Sequence, residues 1–457
     1  MEKLLGVLGF AMLSVGAEAA GGFDLSLPRG LETLSYSSPS GAKEICVVPK
    51  HLAGADYRGK EGAKDRESER ELCAHNLYLP GPTTADRGVA ACPKVSSTSA
   101  AIEFQEIVEP GSKAKLESAA SCGRTRVTDN LTKFKTSDND RTCTYVPGAM
   151  LTYHLSRYLG DVLQVPVMVL RTVDISTMQK VATQAVKMSI NGLLRRSYQN
   201  YIDAYRDPAR WDYASWIFTN DFKQHYGYLR DKVKGDSVHS GWVENLPSSA
   251  FEKIEGVKDI FASTPASSLF GGTLSQLSLQ RLQTARDYAD LIVLDQLSSQ
   301  SDRYSGQNLA SVQYYYYKDE NQKLKSLEKR KVDKGEKPLP EGALLVRRMA
   351  SIDNDCTFVN GNTNAKLGYA ARLRHLHPRT YAGVMRLAKA WTADSSVKDF
   401  LATELAMSPK HIASFEKNLM SVADSLRANC KSGALKLDLD PEVQFLGAEN
   451  KANCDAL

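Results

Sequence analysis

The chain has 457 residues, enough for two lobes with cores of their own. A formal net charge of +5 is small for that length, and no basic tract interleaves with aromatic residues, so nucleic-acid binding is not indicated. Beyond the N-terminus, no stretch is apolar for the roughly 20 residues that a bilayer-crossing helix needs, so no permanent membrane span is expected.

Met1-Glu2-Lys3 is a short charged start, and Leu4 to Val15 is almost wholly apolar. Ala17-Glu18-Ala19 then has the small-x-small pattern of a signal-peptidase site. Residues 1–19 read as a signal peptide, and the mature chain as exported to a periplasm, the exterior or a secretory lumen. Eight cysteines, Cys46, Cys73, Cys92, Cys122, Cys143, Cys356, Cys430 and Cys454, form no CxxC pair and have no zinc-ligand spacing with histidine. In an exported chain such cysteines read as disulfides. Spacing does not settle their pairing. Cys122 and Cys143 bracket a predicted strand, and Cys356 is the candidate free thiol.

Residues 20–120 are rich in Gly, Ser, Pro and Ala and read as an irregular extension pinned by cysteines, with short strands only near Ala101 to Val108. Arg124 to Lys135 patterns as a strand or hairpin. Pro147 to Leu159 is a helix with Met150, Leu151, His154, Leu155 and Tyr158 on one broad face, and Val165 to Thr172 is a β-branched strand. From Met178 to about Ser263 the signals are helical and loopy. Ser278 to Leu297 is a strong helix, apolar nearly all round at its centre and therefore buried. Leu309 to Tyr317 and Ala343 to Ile352 are strands. The charged stretch between them, Asp319 to Pro340, reads as a solvated loop that buries little. Helices follow at Tyr381 to Trp391, Ser395 to Ala406 and Pro409 to Ala428, the last started by Ser408-Pro409. From Lys431 the tail reads as loose apart from Cys454.

Two short segments carry chemistry. Ser301-Asp302-Arg303-Tyr304-Ser305-Gly306-Gln307-Asn308 follows the buried helix, and Ile352-Asp353-Asn354-Asp355 ends the returning strand. Helix, Asp loop, β-hairpin, Asp loop is an order that suits phosphoryl transfer. One aspartate takes the proton of the attacking hydroxyl, and another holds a metal that bridges nucleotide phosphates. Each segment alone also reads as an ordinary turn. No HExxH, GxSxG or P-loop competes with this reading.

Tyr153-His154-Leu155-Ser156-Arg157-Tyr158-Leu159, followed by Val165-Pro166-Val167, resembles the small-lobe helix and strand of the atypical secretory-pathway kinases. That family includes the Golgi casein kinase, four-jointed and bacterial spore-coat kinases, and shares more distant loops with HipA-type and phosphatidylinositol kinases. Asp302-Arg303-Tyr304 stands where the family has Asp-Arg-His, and Ile352-Asp353-Asn354 where it has Leu-Asp-Asn. Arg379-Thr380-Tyr381 is similar to the opening of its next helix. The likeness covers roughly residues 131–170 and 278–430.

It implies an α+β, two-lobed protein-kinase-like fold with a disulfide-linked N-terminal extension. The small mixed α/β N-lobe would span 121–175, the mainly helical C-lobe 176–430, and a tail 431–457. By the same resemblance Asp302 is the catalytic base, Asp353 a metal ligand, and Asn308 a second ligand, although Gln307 occupies the expected spacing. Lys135 is the phosphate-contacting lysine, with Lys133 on the same face of the strand as runner-up. The implied cofactors are ATP or another nucleoside triphosphate with Mg²⁺ or Mn²⁺, and the implied partner is a protein or glycan acceptor. Nothing sets an oligomeric state. Ala149 stands where the family helix carries a Glu, which leaves open a catalytically silent pseudokinase that binds a nucleotide or a protein.

Overall fold

The computed structural model describes residues 23–79, 88–95, 99–107, 117, 122, 130–138, 144–208, 217–231, 237–238, 248–301, 303, 308–358, 368–450 and 453–454. Residues 1–19, expected to be a signal peptide, lie outside them, as do Cys143, Asp302 and residues 304–307. Strands and helices are mixed. A seven-stranded antiparallel sheet has the order β1-β2-β6-β7-β5-β4-β3. Its strands are β1 (Glu32–Ser37), β2 (Lys43–Val48), β3 (Gly88–Pro93), β4 (Ile102–Ile107), β5 (Asn130–Thr136), β6 (Met168–Asp174) and β7 (Gln224–Arg230). A second sheet has β9 (Leu309–Lys318) at its centre, β11 (Leu344–Ser351) on one edge, and β10 (Leu324–Glu328) and the short β8 (Ser237–Val238) on the other.

Alternation sets the second sheet's faces. In the four-tyrosine run of β9, Tyr314 and Tyr316 are buried, with Val312 and Val346, against Leu279, while Tyr315 and Tyr317 stay half-buried on the other face. Helix α1 (Ala63–Ala74) lies on β2 and β6. Helix α2 (Val146–Tyr158) is buried along its whole length between β6, β7 and a long helix further on. Helices α3 (Ile175–Lys187) and α4 (Gly192–Arg206) pack on one another, each N-capped by the side chain of the preceding residue, Asp174 or Asn191. The long helix, α5 (Gln276–Leu297), starts in a Ser275/Ser278 capping box and touches α2 and β11. It also meets α7 (Pro409–Lys431), which packs in turn on α6 (Pro378–Ala393). Among the described residues no helix is long and apolar enough to cross a membrane.

The strand expected near Ala101 to Val108 is β4, but the rest of the N-terminal stretch is not irregular, since it supplies β1 to β3 and α1. The expected helical-and-loopy middle supplies β7, which sits between β5 and β6. A short strand buried along nearly its whole length has no polar alternation to betray it. Gly227 lets β7 approach its neighbour, since a Cβ there would stand 2.2 Å from the Lys135 carbonyl oxygen. The charged stretch after β9 is partly ordered too. β10 pairs with β9, Leu324 packs on the Tyr314 cluster, and its N–H donates to Glu442 Oε1 at 2.9 Å. The tail is held by buried Leu435, Leu437 and Leu439 and by a Cys430–Cys454 disulfide.

The other described disulfides are Cys46–Cys73, joining β2 to α1, and Cys92–Cys122. Cys122 therefore does not pair with Cys143, and Cys356 is not free but disulfide-bonded. Pairing follows which elements the sheet brings together, not proximity along the chain.

Asp290 of α5 is fully buried and accepts a 2.6 Å hydrogen bond from Thr380 Oγ1. Burial pushes its carboxyl up to about 6 against the pull of Arg286. The fold therefore favours the protonated form. That contribution is complete below the ordinary carboxylate range near 4 and is lost as pH rises through about 6. Between pH 5 and 7.5, the unfolding free energy of Asp290→Asn relative to wild type is expected to rise by about 1–2 kcal/mol. A pH-independent difference in urea melts counts against this.

Candidate functional site

Period-two alternation on β5 buries Phe134 on one face and puts Lys133 and Lys135 on the other. Lys133 pairs across to Glu103 on β4 and Arg230 on β7, and Lys135 to Tyr228 on β7. One patch of the sheet thus carries Glu103, Lys133, Arg230, Lys135 and Tyr228.

The loop after β11 folds onto that patch. Lys135 Nζ lies 3.1 Å from Asp353 Oδ1 and 2.5 Å from Asp355 Oδ2. Lys133 Nζ and Arg230 Nη2 stand 3.7 and 3.9 Å from the same Asp353 oxygen. Tyr228 donates its hydroxyl to Asp355 at 3.3 Å. Lys135 is 2% exposed and Asp353 18%, so the site is closed at the Asp355 end and open at the Asp353 end. Asp353 has φ +55°, a left-handed conformation that aspartate tolerates better than most residues.

Buried Arg303 holds this loop in place. Its Nη1 donates to the carbonyls of Asn308 (2.6 Å) and Ile352 (2.9 Å), its Nη2 to Asn354 Oδ1, and its Nε faces Asp295 at 3.4 Å. The Ile352 N–H donates to the Asn308 carbonyl at 3.1 Å, and the Ser301 N–H to the Cys356 carbonyl at 3.0 Å. The residues on both sides of Asp302 are therefore tied to the Asp353 loop. The Asp355 carbonyl accepts from the Tyr145 N–H at 2.8 Å, which joins the loop to the start of α2.

Gly148 makes that junction possible: a Cβ there would stand 1.6 Å from Thr357 Oγ1. Gly148→Ala is expected to destabilise the protein by about 1–3 kcal/mol in denaturant melts through overpacking. An unchanged midpoint would show that the loop yields freely.

The electrostatics are lopsided. Burial would raise the Asp353 carboxyl, but Lys133, Lys135, Lys94 and Arg230 hold it well below the usual carboxylate range. Burial also works against the Lys135 ammonium, and Asp353 and Asp355 more than offset it, so its pKa is raised. Burial drives Lys133 well below the ordinary lysine value; Asp353 opposes this, while Lys94 and Lys135 add to it. Lys94 is lowered in the same way, and burial raises Glu103. Four basic side chains (Lys94, Lys133, Lys135 and Arg230) are crowded against three acidic ones (Glu103, Asp353 and Asp355). A polyanion would relieve the crowding. Among the described residues no group of three His, Cys, Asp or Glu side chains is placed to hold a metal.

Of the sequence-derived candidates, Lys133, Lys135 and Asp353 come together. Asn308 stands at the start of β9 with its carbonyl committed to Arg303, and Asp302 lies outside the described residues. Ala149 is buried in α2, and the described carboxylates beside Lys135 are Asp353 and Asp355. Sequence reasoning missed Lys94, Glu103, Tyr228, Arg230, Arg303 and Asp355. Asp355 was within reach as the second acid of Asp-Asn-Asp. Arg230 was not, because its strand was not recognised.

No family model matches the chain, and no curated protein does. Among solved structures it is similar to the Golgi casein kinase with Mn/ADP bound, at 12% identity and a TM-score of 0.38 over 79% of this chain and 75% of that one. A second Golgi casein kinase structure matches at 13% identity and a TM-score of 0.35 over 81% and 79%. Likeness at this level carries no argument about the site.

Proposed function

We propose that the protein is an exported, two-lobed, kinase-like phosphotransferase. It takes a phosphoryl group from ATP or another nucleoside triphosphate and passes it to a hydroxyl of a protein or glycan acceptor. The observation that carries this reading is the pairing of Lys135 with Asp353 and Asp355 inside a cation-rich patch, on a loop tied to both neighbours of Asp302. Phosphoryl transfer uses such a lysine on the phosphates, one aspartate at the metal and one at the acceptor hydroxyl. Chain order supports it as well. In kinases a loop covering the phosphates precedes the lysine strand, and a helix follows it. Here β3, β4 and β5 form a meander whose third strand bears Lys135, and α2 comes next. The turn from β3 to β4 is rich in serine rather than glycine, and it brings in Lys94.

Each group has a role in this proposal. Lys135, Lys133 and Lys94 take the phosphates. Asp355 positions Lys135, the task the family gives to the Glu absent at Ala149. Asp302 accepts the proton of the acceptor hydroxyl. Asp353, with Asn308, holds Mg²⁺ or Mn²⁺, for which carboxylate and amide oxygens are suitable donors. The described carboxylates alone do not make a metal site, because both share Lys135. Metal binding at Asp353 therefore depends on the phosphates drawing the lysines away from it.

The same surplus of cations favours one second reading, a pseudokinase that binds nucleotide without metal or turnover. Thermal shift with ATP, with and without Mn²⁺ or Mg²⁺, and phosphoryl transfer from labelled ATP separate the two. A metal-dependent shift with turnover supports the kinase, and a metal-independent shift without turnover supports the pseudokinase. No shift with any nucleotide overturns both.

A further inference from the structure

A cleft of about 190 Å³ lies apart from the Lys135–Asp353 patch, where the short helix Lys329–Asp333 after β10 faces α1 across residues 164–167. Arg58, Lys64, Arg330 and Lys331 line it with Glu328 and Asp231. Arg58 is already committed to Asp65, at 2.6 Å. Lys64, Arg330 and Lys331 have no ion-pair partner among the described residues. The Arg330 Nε is shielded from solvent and has no hydrogen-bond acceptor.

An arginine and two lysines without ion-pair partners, gathered at one half-open cleft, suit a tetrahedral oxyanion. The planar guanidinium grips two of its oxygens, and the lysines add point charge. The cleft has room for one anionic group, whose carrier can extend through the open side.

We propose that this cleft binds a phosphate or sulfate group, free or carried on a peptide or sugar, as a site separate from the nucleotide patch. Its lining comes from α1, the segment 164–167 that leads into β6, β9 and the charged excursion after it, so a bound anion would clip that excursion to the body of the protein.

The test uses the full mature chain at constant ionic strength set with chloride. Inorganic phosphate and sulfate are titrated by thermal shift and equilibrium binding into wild type, the double variant Arg330→Gln/Lys331→Gln, and Lys135→Met. Wild type is expected to gain stability with millimolar anion, the double variant to lose at least about tenfold in affinity, and Lys135→Met to keep the response. Should the double variant not fold in anion-free buffer, Lys331→Gln alone is measured, with a loss of several-fold expected. No response in wild type, an undiminished response in the Arg330/Lys331 variants, or a response abolished by Lys135→Met overturns the proposal. Phosphoserine peptide and a sugar phosphate, titrated alongside, distinguish the sources. Tighter binding of either one than of inorganic phosphate, lost in the same variants, supports a carried group. Equal binding supports the free anion.

Discussion

Asp302→Asn is expected to slow phosphoryl transfer by about 10²- to 10⁴-fold while leaving nucleotide affinity within a few-fold, the signature of a lost general base. Asp353→Ala is expected to act at the other end of the reaction. It removes the carboxylate on which Lys133, Lys135 and Arg230 converge, and with it the proposed metal ligand. Metal-dependent nucleotide binding should then disappear, while metal-free binding to the remaining cations persists or strengthens. The pair of variants is informative because an ordinary turn aspartate predicts something else, a loss of about 1 kcal/mol of stability with no change in ligand binding. Single-turnover transfer and thermal shift, run on both variants and wild type, read the difference. If wild type binds nucleotide and metal and neither variant departs from it, the site assignment is wrong. If wild type binds but never turns over, the pseudokinase reading stands.

Arg157→Ala is expected to cost about 3–5 kcal/mol of stability, the range for breaking one side of a buried ion pair. Arg157 of α2 and Asp65 of α1 are both fully buried, with Nε to Oδ2 at 2.8 Å. Arg157 also reaches Asp161 at 2.9 Å and the Val165 carbonyl at 3.1 Å, while Arg58 closes on Asp65 from the other side. Removing the guanidinium leaves buried Asp65 with Arg58 alone, takes the partner from Asp161, and joins α1 less firmly to α2, the helix on which the candidate site rests.

Acid should act on the same bond. Burial would raise the Asp65 carboxyl, but Arg157 and Arg58 bring it down to about 2. A depressed folded-state value means that the stabilisation is present above the ordinary range near 4 and lost as pH falls from about 4 towards 2. Urea melts at pH 7 and pH 3 should show wild type losing stability on acidification and Arg157→Ala losing less. A cost below about 1 kcal/mol at pH 7 would mean that water already reaches the pair.

Some of this architecture was legible because it is written in local pattern. Ser408 and Pro409 mark a helix start that needs only a capping oxygen and a missing N–H, and the observed helix begins there. The β-branched and aromatic run from Leu309 to Tyr317 marks β9 as a strand without any knowledge of what it packs against. Lys133 and Lys135 share a face for the same reason, since a strand has a period of two wherever it sits. The Asp-Asn-Asp segment announces a turn rich in carboxylate.

Other features depend on which strands become neighbours, and that is settled by the packing of the whole chain. Residues 20–120, apart from the strand near Ala101 to Val108, read as irregular because their strands are short and lie among Gly- and Ser-rich segments, yet β1, β2 and β3 join the sheet. β7 carries no periodic signal, and only its insertion between β5 and β6 sets Arg230 beside Lys133 and Tyr228 beside Lys135. Disulfide partners, the Arg303 clamp across two loops and the Arg157–Asp65 pair across 92 residues are likewise tertiary facts. Local sequence determined what kind of element each segment forms and which side chains share its face. Only the tertiary structure decided which faces meet, because a contact between distant segments draws its energy from the joint burial of both, and neither segment encodes that alone.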